Sequence, residues 1–187
     1  MPHIQLQEGL PGIVGPMTFS PETTKPLNAL AEVLLRTNAS DSLTQGEREL
    51  IASFVSKRND CFFCSTCHGA VADYVLGREK QIVAQVWADP NTAPISDKLK
   101  ALLAIAGSVQ QGGLYVTPQQ IADARELGAT DRDIHDTVLI AAAFCMFNRY
   151  VDGLATWAPE DPAAYLDMGE NLATRGYPSS IEAPQPA

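Results

Sequence analysis

The chain has 187 residues, 45% of them hydrophobic, which suits one domain with a hydrophobic core. Its 13 Lys and Arg residues are outnumbered by 22 Asp and Glu, so a net charge of -9 provides no surplus of cations for binding nucleic-acid phosphates. No stretch reaches the roughly 18 uninterrupted apolar residues that span a bilayer. We therefore expect neither a nucleic-acid partner nor a membrane partner.

The N-terminal residues MPHIQLQEGLPGIVGPMTFS have no basic start, and Gly and Pro interrupt them before an apolar run of signal-peptide length. This pattern predicts a cytoplasmic protein. A reducing compartment disfavours structural disulfides, yet three of the four cysteines fall within seven positions. Such clustering indicates catalysis or metal binding.

Apolar periodicity predicts an all-α fold, because nearly every segment repeats at helical spacing and no strand pattern is present. The predicted helices, with boundaries uncertain by about three residues, are 27–36, 44–58, 61–76, 79–88, 96–111, 118–127, 131–157 and 161–173. Start signals support three of them: Thr44 and Thr117 open capping boxes, and Thr130 is a predicted N-cap.

The two ends of the chain differ from this helical body in composition. Prolines recur through the first 25 residues, and the chain ends in YPSSIEAPQPA. We expect an extended N-terminal arm over 1–25, one all-α domain over 26–173 and a C-terminal tail over 174–187. Within the body, the segment 131–157 is apolar on nearly all sides, which predicts a helix in the middle of the bundle or at a subunit contact.

The segment NDCFFCSTCHGA, residues 59–70, contains the candidate functional residues, three cysteines and a histidine. It fits three kinds of site. Cys64, Cys67 and His68 spell the C-x-x-C-H of covalent haem attachment. That attachment normally takes place outside the cytosol, which disfavours a haem protein here. Three cysteines and a histidine are also zinc ligands, but neighbours such as Cys67 and His68 diverge by about 100° on a helix.

A redox dithiol fits best, because residues outside the cluster support it. Cys61, Cys64 and His68 share one helix face at positions i, i+3 and i+7. Asn59 or Asp60 is expected to cap this helix, whose N-terminal dipole favours a thiolate. Lys57 and Arg58 are expected to add positive potential nearby.

Glu49, Cys61, Cys64 and His68 together form the pattern E-x11-C-x2-C-x3-H. This pattern resembles the signature of AhpD-like alkylhydroperoxidases in the carboxymuconolactone decarboxylase superfamily. The resemblance is strongest over roughly residues 40–110, and the later FNRYVDGL is similar to the peroxidase-related branch of that superfamily. It implies an AhpD-like helical bundle, in agreement with the all-α prediction.

The resemblance also implies a hydroperoxide reductase that needs no cofactor or metal. Cys64 would be the peroxidatic cysteine and Cys61 the resolving cysteine, with Glu49 and His68 as the proton relay. Its partners would be a small hydroperoxide and an external dithiol or thiol protein as reductant. Members of the family often assemble as trimers or hexamers, so we expect a homo-oligomer. A lactone decarboxylase-like activity is the alternative within the superfamily.

Some features depart from this pattern or stay outside it. The best-known relatives carry a histidine between the two cysteines, where this chain has Phe62 and Phe63. Cys67 is an extra thiol that we interpret as a bystander. Periodicity alone places Glu49 off the apolar stripe of its helix, so only the motif assigns it to the site. His135, among aspartates, is predicted to lie on the surface.

Overall fold

A computed structural model of the chain describes residues 1–37 and 42–178. This described part contains nine α-helices and no strand, which confirms the all-α prediction. None of these helices is both long and apolar enough to cross a membrane. The helices are α1 (Val14–Phe19), α2 (Pro21–Glu32), α3 (Gln45–Arg58), α4 (Phe62–Leu76), α5 (Ile82–Ala88), α6 (Asp97–Gln111), α7 (Pro118–Glu126), α8 (Asp131–Gly153) and α9 (Ala164–Arg175).

Helix α3 lies at the centre of the bundle and packs against α4, α6 and α8. Helix α4, which carries the cysteine cluster, lies between α3 and α9. The core between these helices is formed by aliphatic side chains with no exposed surface, among them Leu50, Leu102, Leu103, Ile105 and Ile140. Because α3 is enclosed on nearly all sides, a polar side chain on it must find a partner inside the protein.

Three helices begin at the capping residues that the sequence predicts. Thr44 and Glu47 form a complete capping box at α3, and Thr117 and Gln120 form another at α7. The Thr130 side chain likewise caps α8. Each of these side chains satisfies a backbone N–H that has no partner within its helix, so the helix starts follow from short-range sequence.

A buried ion pair connects α3 to α8. The Arg48 guanidinium lies 2.9 Å from an Asp136 carboxylate oxygen, and both side chains are almost fully enclosed. Arg48 also donates to the backbone oxygens of Leu34 and Leu43. His135 lies on the outer side of this pair with 62% of its side chain exposed, as predicted.

The N-terminal region is more ordered than the sequence suggested. Residues 14–25 were expected to be extended but form α1 and the first turns of α2. Pro21 lies at the start of α2, where its missing N–H costs no helical hydrogen bond. Farther upstream, His3 and Gly12 donate backbone hydrogen bonds to the carbonyls of Leu154 and Trp157. The first residues therefore pack on the segment that follows α8.

The described part of the predicted tail also packs on the body. Residues 174–175 complete α9, and Gly176, Tyr177 and Pro178 continue toward α2. Residues 179–187 lie outside the described ranges. The division into arm, domain and tail stays a prediction.

Candidate active site

The cysteine pair lies at the first turn of α4, after a short connection from α3. Cys61 is the N-cap residue, and its N–H donates to the carbonyl of Ser56. Asn59 and Asp60 form the turn, with Asp60 in the left-handed region at φ 58°. Neither residue caps α4, contrary to expectation: Asn59 is the C-cap of α3, and its side chain donates to Asn148. The connection is too short to provide a separate cap.

Both thiols of the pair are free and buried. The four cysteines are free, with 0% of Cys61 and 3% of Cys64 exposed. A hydrogen bond with Cys64, together with burial, raises the pKa of the Cys61 thiol, and the Asp152 carboxylate raises it further. For Cys61, these effects outweigh the stabilisation of a thiolate that we expected from the helix dipole.

The two cations before the pair are directed elsewhere. The Lys57 ammonium lies over the Trp87 ring, 5.2 Å from its centroid. The Arg58 guanidinium lies 5.7 Å from the centre of the Phe54 ring. Lys57 and Arg58 are both exposed, and each places its cationic group over an aromatic face. Both cationic groups therefore contact aromatic rings.

Glu49 and His68 are brought together between α3 and α4. Glu49 Oε2 lies 2.7 Å from His68 Nδ1, and the Glu49 side chain has no exposed surface. Phe144 packs edge-on against the imidazole, with ring centroids 4.5 Å apart. A carboxylate at Nδ1 fixes the imidazole tautomer that carries a proton there, leaving Nε2 as the acceptor on the other side of the ring.

Tyr177 completes this group, although nothing in its sequence context pointed to it. Its hydroxyl donates to Glu49 Oε1 at 2.8 Å and lies 3.2 Å from His68 Nδ1. The residue lies 128 positions after Glu49, in the segment predicted to be a tail. No periodicity or motif links the two positions.

Cys67 has a different environment from that of the pair. Its sulfur lies 3.3 Å from the Met168 sulfur on α9, and burial raises the pKa of its thiol. Because Cys67 contacts Met168 while His68 contacts Glu49, the side chains considered as zinc ligands do not converge. Within residues 1–37 and 42–178, no group of three or more His, Cys, Asp or Glu residues is placed to hold a metal.

Comparisons with known proteins agree with the fold. The family model named Carboxymuconolactone decarboxylase family matches residues 80–158, a stretch that begins after the cysteine pair. A crystal structure of an alkylhydroperoxidase AhpD core, a peroxidase-related protein from Ralstonia eutropha JMP134, superimposes with a TM-score of 0.73. The two chains are 26% identical, over 85% of this chain and 80% of that one.

A second similar structure is that of a peroxidase-related protein from Silicibacter sp. TM1040. It has a TM-score of 0.73 and 26% identity, over 83% of this chain and 78% of that one. The family model and the two structures support an AhpD-like member of the carboxymuconolactone decarboxylase superfamily. A search among curated proteins found no significant match.

In this AhpD-like protein, the two residues between the paired cysteines are aromatic and pack on α9. Phe62 is 49% exposed and Phe63 is buried, and both rings contact the Tyr165 ring at centroid distances of 6.2 and 6.0 Å. A Cβ at Gly12 would clash with the Phe63 ring, so the N-terminal segment lies directly on it. These contacts enclose the cysteine pair in apolar surface.

Proposed function

We propose that this AhpD-like protein is a thiol-dependent hydroperoxide reductase that uses Cys61 and Cys64 as its redox couple. The observation that carries the proposal is the 2.7 Å contact between Glu49 and His68. Glu49 on α3 and His68 on α4 form the proposed proton relay, and His68 lies one helical turn beyond Cys64. A buried carboxylate and imidazole beside a dithiol can accept a thiol proton and later return it to a leaving group.

The proposed reaction begins when His68 Nε2 accepts the Cys64 proton. The thiolate attacks the terminal peroxide oxygen, so that an S–O bond forms and the O–O bond breaks. The alkoxide that leaves takes the proton from His68 and departs as an alcohol, while Cys64 becomes a sulfenic acid. The Cys61 sulfur then attacks the Cys64 sulfur, which forms the disulfide and releases water. An external dithiol supplies the two electrons that restore both thiols.

The environments of the two thiols support this division of roles. Cys64 precedes His68 by four residues on one helix, which puts both on one face. Cys61 has a raised pKa and lies beside Asp152, so it remains a protonated thiol until the sulfenic acid forms. A resolving cysteine acts as a nucleophile only at that second step.

The proposal includes the partners of the reaction and its setting. The substrate is a small hydroperoxide, the reductant is a dithiol or a thiol protein, and the setting is the cytoplasm. We also propose a homo-oligomer, a trimer or a hexamer, for which α8 offers the exposed apolar side chains Leu139 and Met146.

Single-turnover oxidation tests the proposal. Reduced protein is mixed with cumene hydroperoxide, sulfenic acid is trapped with a dimedone reagent, and disulfides are mapped by mass spectrometry. We expect a disulfide between Cys61 and Cys64 in the wild type and a trapped sulfenic acid on Cys64 in Cys61→Ser. Cys145→Ser is the matched control, because Cys145 lies on α8 outside the pair and its removal should leave the rate unchanged.

Two results would contradict the proposal. In one, no thiol reacts with the peroxide faster than free cysteine does. In the other, the Cys64→Ser variant still consumes peroxide at the wild-type rate.

A further inference from the structure

The C-terminal strap, defined here as Gly176, Tyr177 and Pro178, brings the hydroxyl of the half-buried Tyr177 to Glu49 and His68. Gly176 follows the last turn of α9 with φ 82°, a conformation that favours glycine after a helix. A Cβ at this position would meet the ends of the Glu32 and Arg36 side chains, so the strap passes close to α2. The chain then turns toward α3 and α4.

Two side chains of α2 hold the strap in place through its backbone. The Tyr177 N–H donates to Glu32 Oε2 at 2.9 Å, and Asn28 Nδ2 donates to the Pro178 carbonyl at 2.6 Å. Glu32 is itself paired with Arg36 at 2.7 Å. The position of the Tyr177 ring is therefore set by α2, independently of the residues that its hydroxyl contacts.

The Tyr177 hydroxyl acts as a hydrogen-bond donor to Glu49. Burial raises its pKa well above the ordinary value for tyrosine, and the neighbouring Glu49 and Glu32 carboxylates raise it further. The hydroxyl is thus protonated across the working pH range, and it donates a hydrogen bond of 2.8 Å to Glu49 Oε1. The two carboxylate oxygens of Glu49 then have one donor each, Tyr177 on Oε1 and His68 on Oε2.

We propose that Tyr177 is a positioning residue of the active site, which orients the Glu49 carboxylate toward His68 and sets the proton affinity of that pair. The proposal rests on the proposed function for the use of the pair in catalysis. Its physical basis is general: a buried carboxylate is ionised only when donors compensate for its lost hydration. Removing the Tyr177 donor strengthens the attraction of the Glu49 carboxylate for the proton on His68 Nδ1.

The Tyr177→Phe variant tests this proposal, because it removes only the hydroxyl and keeps the ring and the backbone anchors of the strap. The chain has three histidines, so the Cε1–H resonance of His68 can be assigned in NMR spectra by its absence in His68→Gln. We expect the pH midpoint of this resonance to rise by about one pH unit, as loss of a hydrogen bond to a charged group predicts.

Two further variants make the experiment specific. Tyr115→Phe makes the same change at an exposed tyrosine, and it should leave the midpoint where it is in the wild type. Asn28→Ala releases an anchor of the strap while leaving Tyr177, Glu49 and His68 intact, and it should raise the midpoint in the same direction. Asn28→Ala also serves if Tyr177→Phe does not fold.

The outcomes separate this proposal from the hydroperoxide reductase proposal, because the titration needs no peroxide. A raised midpoint in Tyr177→Phe supports the positioning role even if peroxide turnover is never found. An unchanged midpoint overturns it even if the peroxidase activity is established, and so does a change confined to thermal stability.

Discussion

The Cys67 sulfur lies 3.3 Å from the Met168 sulfur, in a contact that joins α4 to α9. Both residues belong to a small apolar cluster that also contains the Cys61 and Cys64 side chains and Tyr165. Burial raises the pKa of the Cys67 thiol, which keeps it protonated and weakly nucleophilic. This contact gives the third thiol a packing role beside the Cys61–Cys64 pair.

We therefore expect Cys67→Ala to form the disulfide between Cys61 and Cys64 at the wild-type rate. Cys67→Ser should fold less stably than Cys67→Ala by about 1–3 kcal/mol, because it buries a hydroxyl where a sulfur had an apolar partner. Stopped-flow oxidation and urea unfolding measure the two effects, with Cys145→Ala as the matched control. A disulfide that contains Cys67 in wild-type protein after one turnover would refute the packing role.

Asp152 provides a test of the environment of the Cys61 thiol. Its carboxylate is among the groups that raise the Cys61 pKa, after the Cys64 hydrogen bond and burial. Asp152→Asn removes this negative charge, so the Cys61 pKa should fall and iodoacetamide should alkylate Cys61 faster at a fixed pH near 8. The rate is read from the peptide that contains Cys61 by mass spectrometry.

Asp167→Asn, the same change on an exposed residue of α9, is the control for this experiment and should have no effect on that rate. Equal alkylation rates in Asp152→Asn and wild type would show that the carboxylate does not influence the thiol.

Gly169 determines how closely α9 approaches α4. A Cβ at this position would lie 2.7 Å from the Ala70 carbonyl carbon, and the backbone cannot move aside as a side chain can. Gly169→Ala should separate the two helices and lower the free energy of unfolding by about 1–3 kcal/mol. Because Met168 is adjacent, the same separation should expose Cys67 to alkylating reagents.

The control substitution is Gly153→Ala at the end of α8, where a Cβ would meet nothing within 4 Å. Its thermal midpoint should equal or slightly exceed that of the wild type. The packing argument fails if both alanine variants unfold at the same temperature.

The Arg48–Asp136 pair predicts a loss of stability in acid. Burial opposes ionisation of Asp136, but hydrogen bonds from His135, Arg48 and Arg132 outweigh it and hold the pKa below the ordinary value. A carboxyl with a lowered folded-state pKa contributes stability above its unfolded-state pKa, about 4, and that contribution is lost as the pH falls through the folded-state value. The free energy of unfolding should therefore decline below about pH 4.

Asp136→Asn removes this titration and takes a buried negative charge away from Arg48. We expect the variant to lose about 3 kcal/mol at pH 7 and to show a flatter pH dependence below pH 4. Asp131→Asn affects only an exposed pair with Arg125 and should change stability little. Parallel pH profiles for wild type and Asp136→Asn in urea unfolding would contradict the assignment.

The sequence by itself predicted the elements of this protein that depend on short-range interactions. Helix starts at Thr44, Thr117 and Thr130 follow from hydrogen bonds between residues three positions apart. Apolar periodicity predicted the helices that carry the site, and spacing on one helix placed Cys64 and His68 on one face. Where prolines dominated the composition, before α3, the same reasoning missed α1 and the beginning of α2.

Tertiary structure decided the partners of the polar side chains. The periodicity of α3 left Glu49 outside the apolar stripe, and only the packing of α4 and the C-terminal strap around it makes it fully buried. Lys57 and Arg58 looked like sources of positive potential, yet nearby aromatic faces hold both. Tyr177 reaches Glu49 across 128 positions. Contacts of this kind have no local signal, because they depend on which helix faces meet once the apolar core has formed.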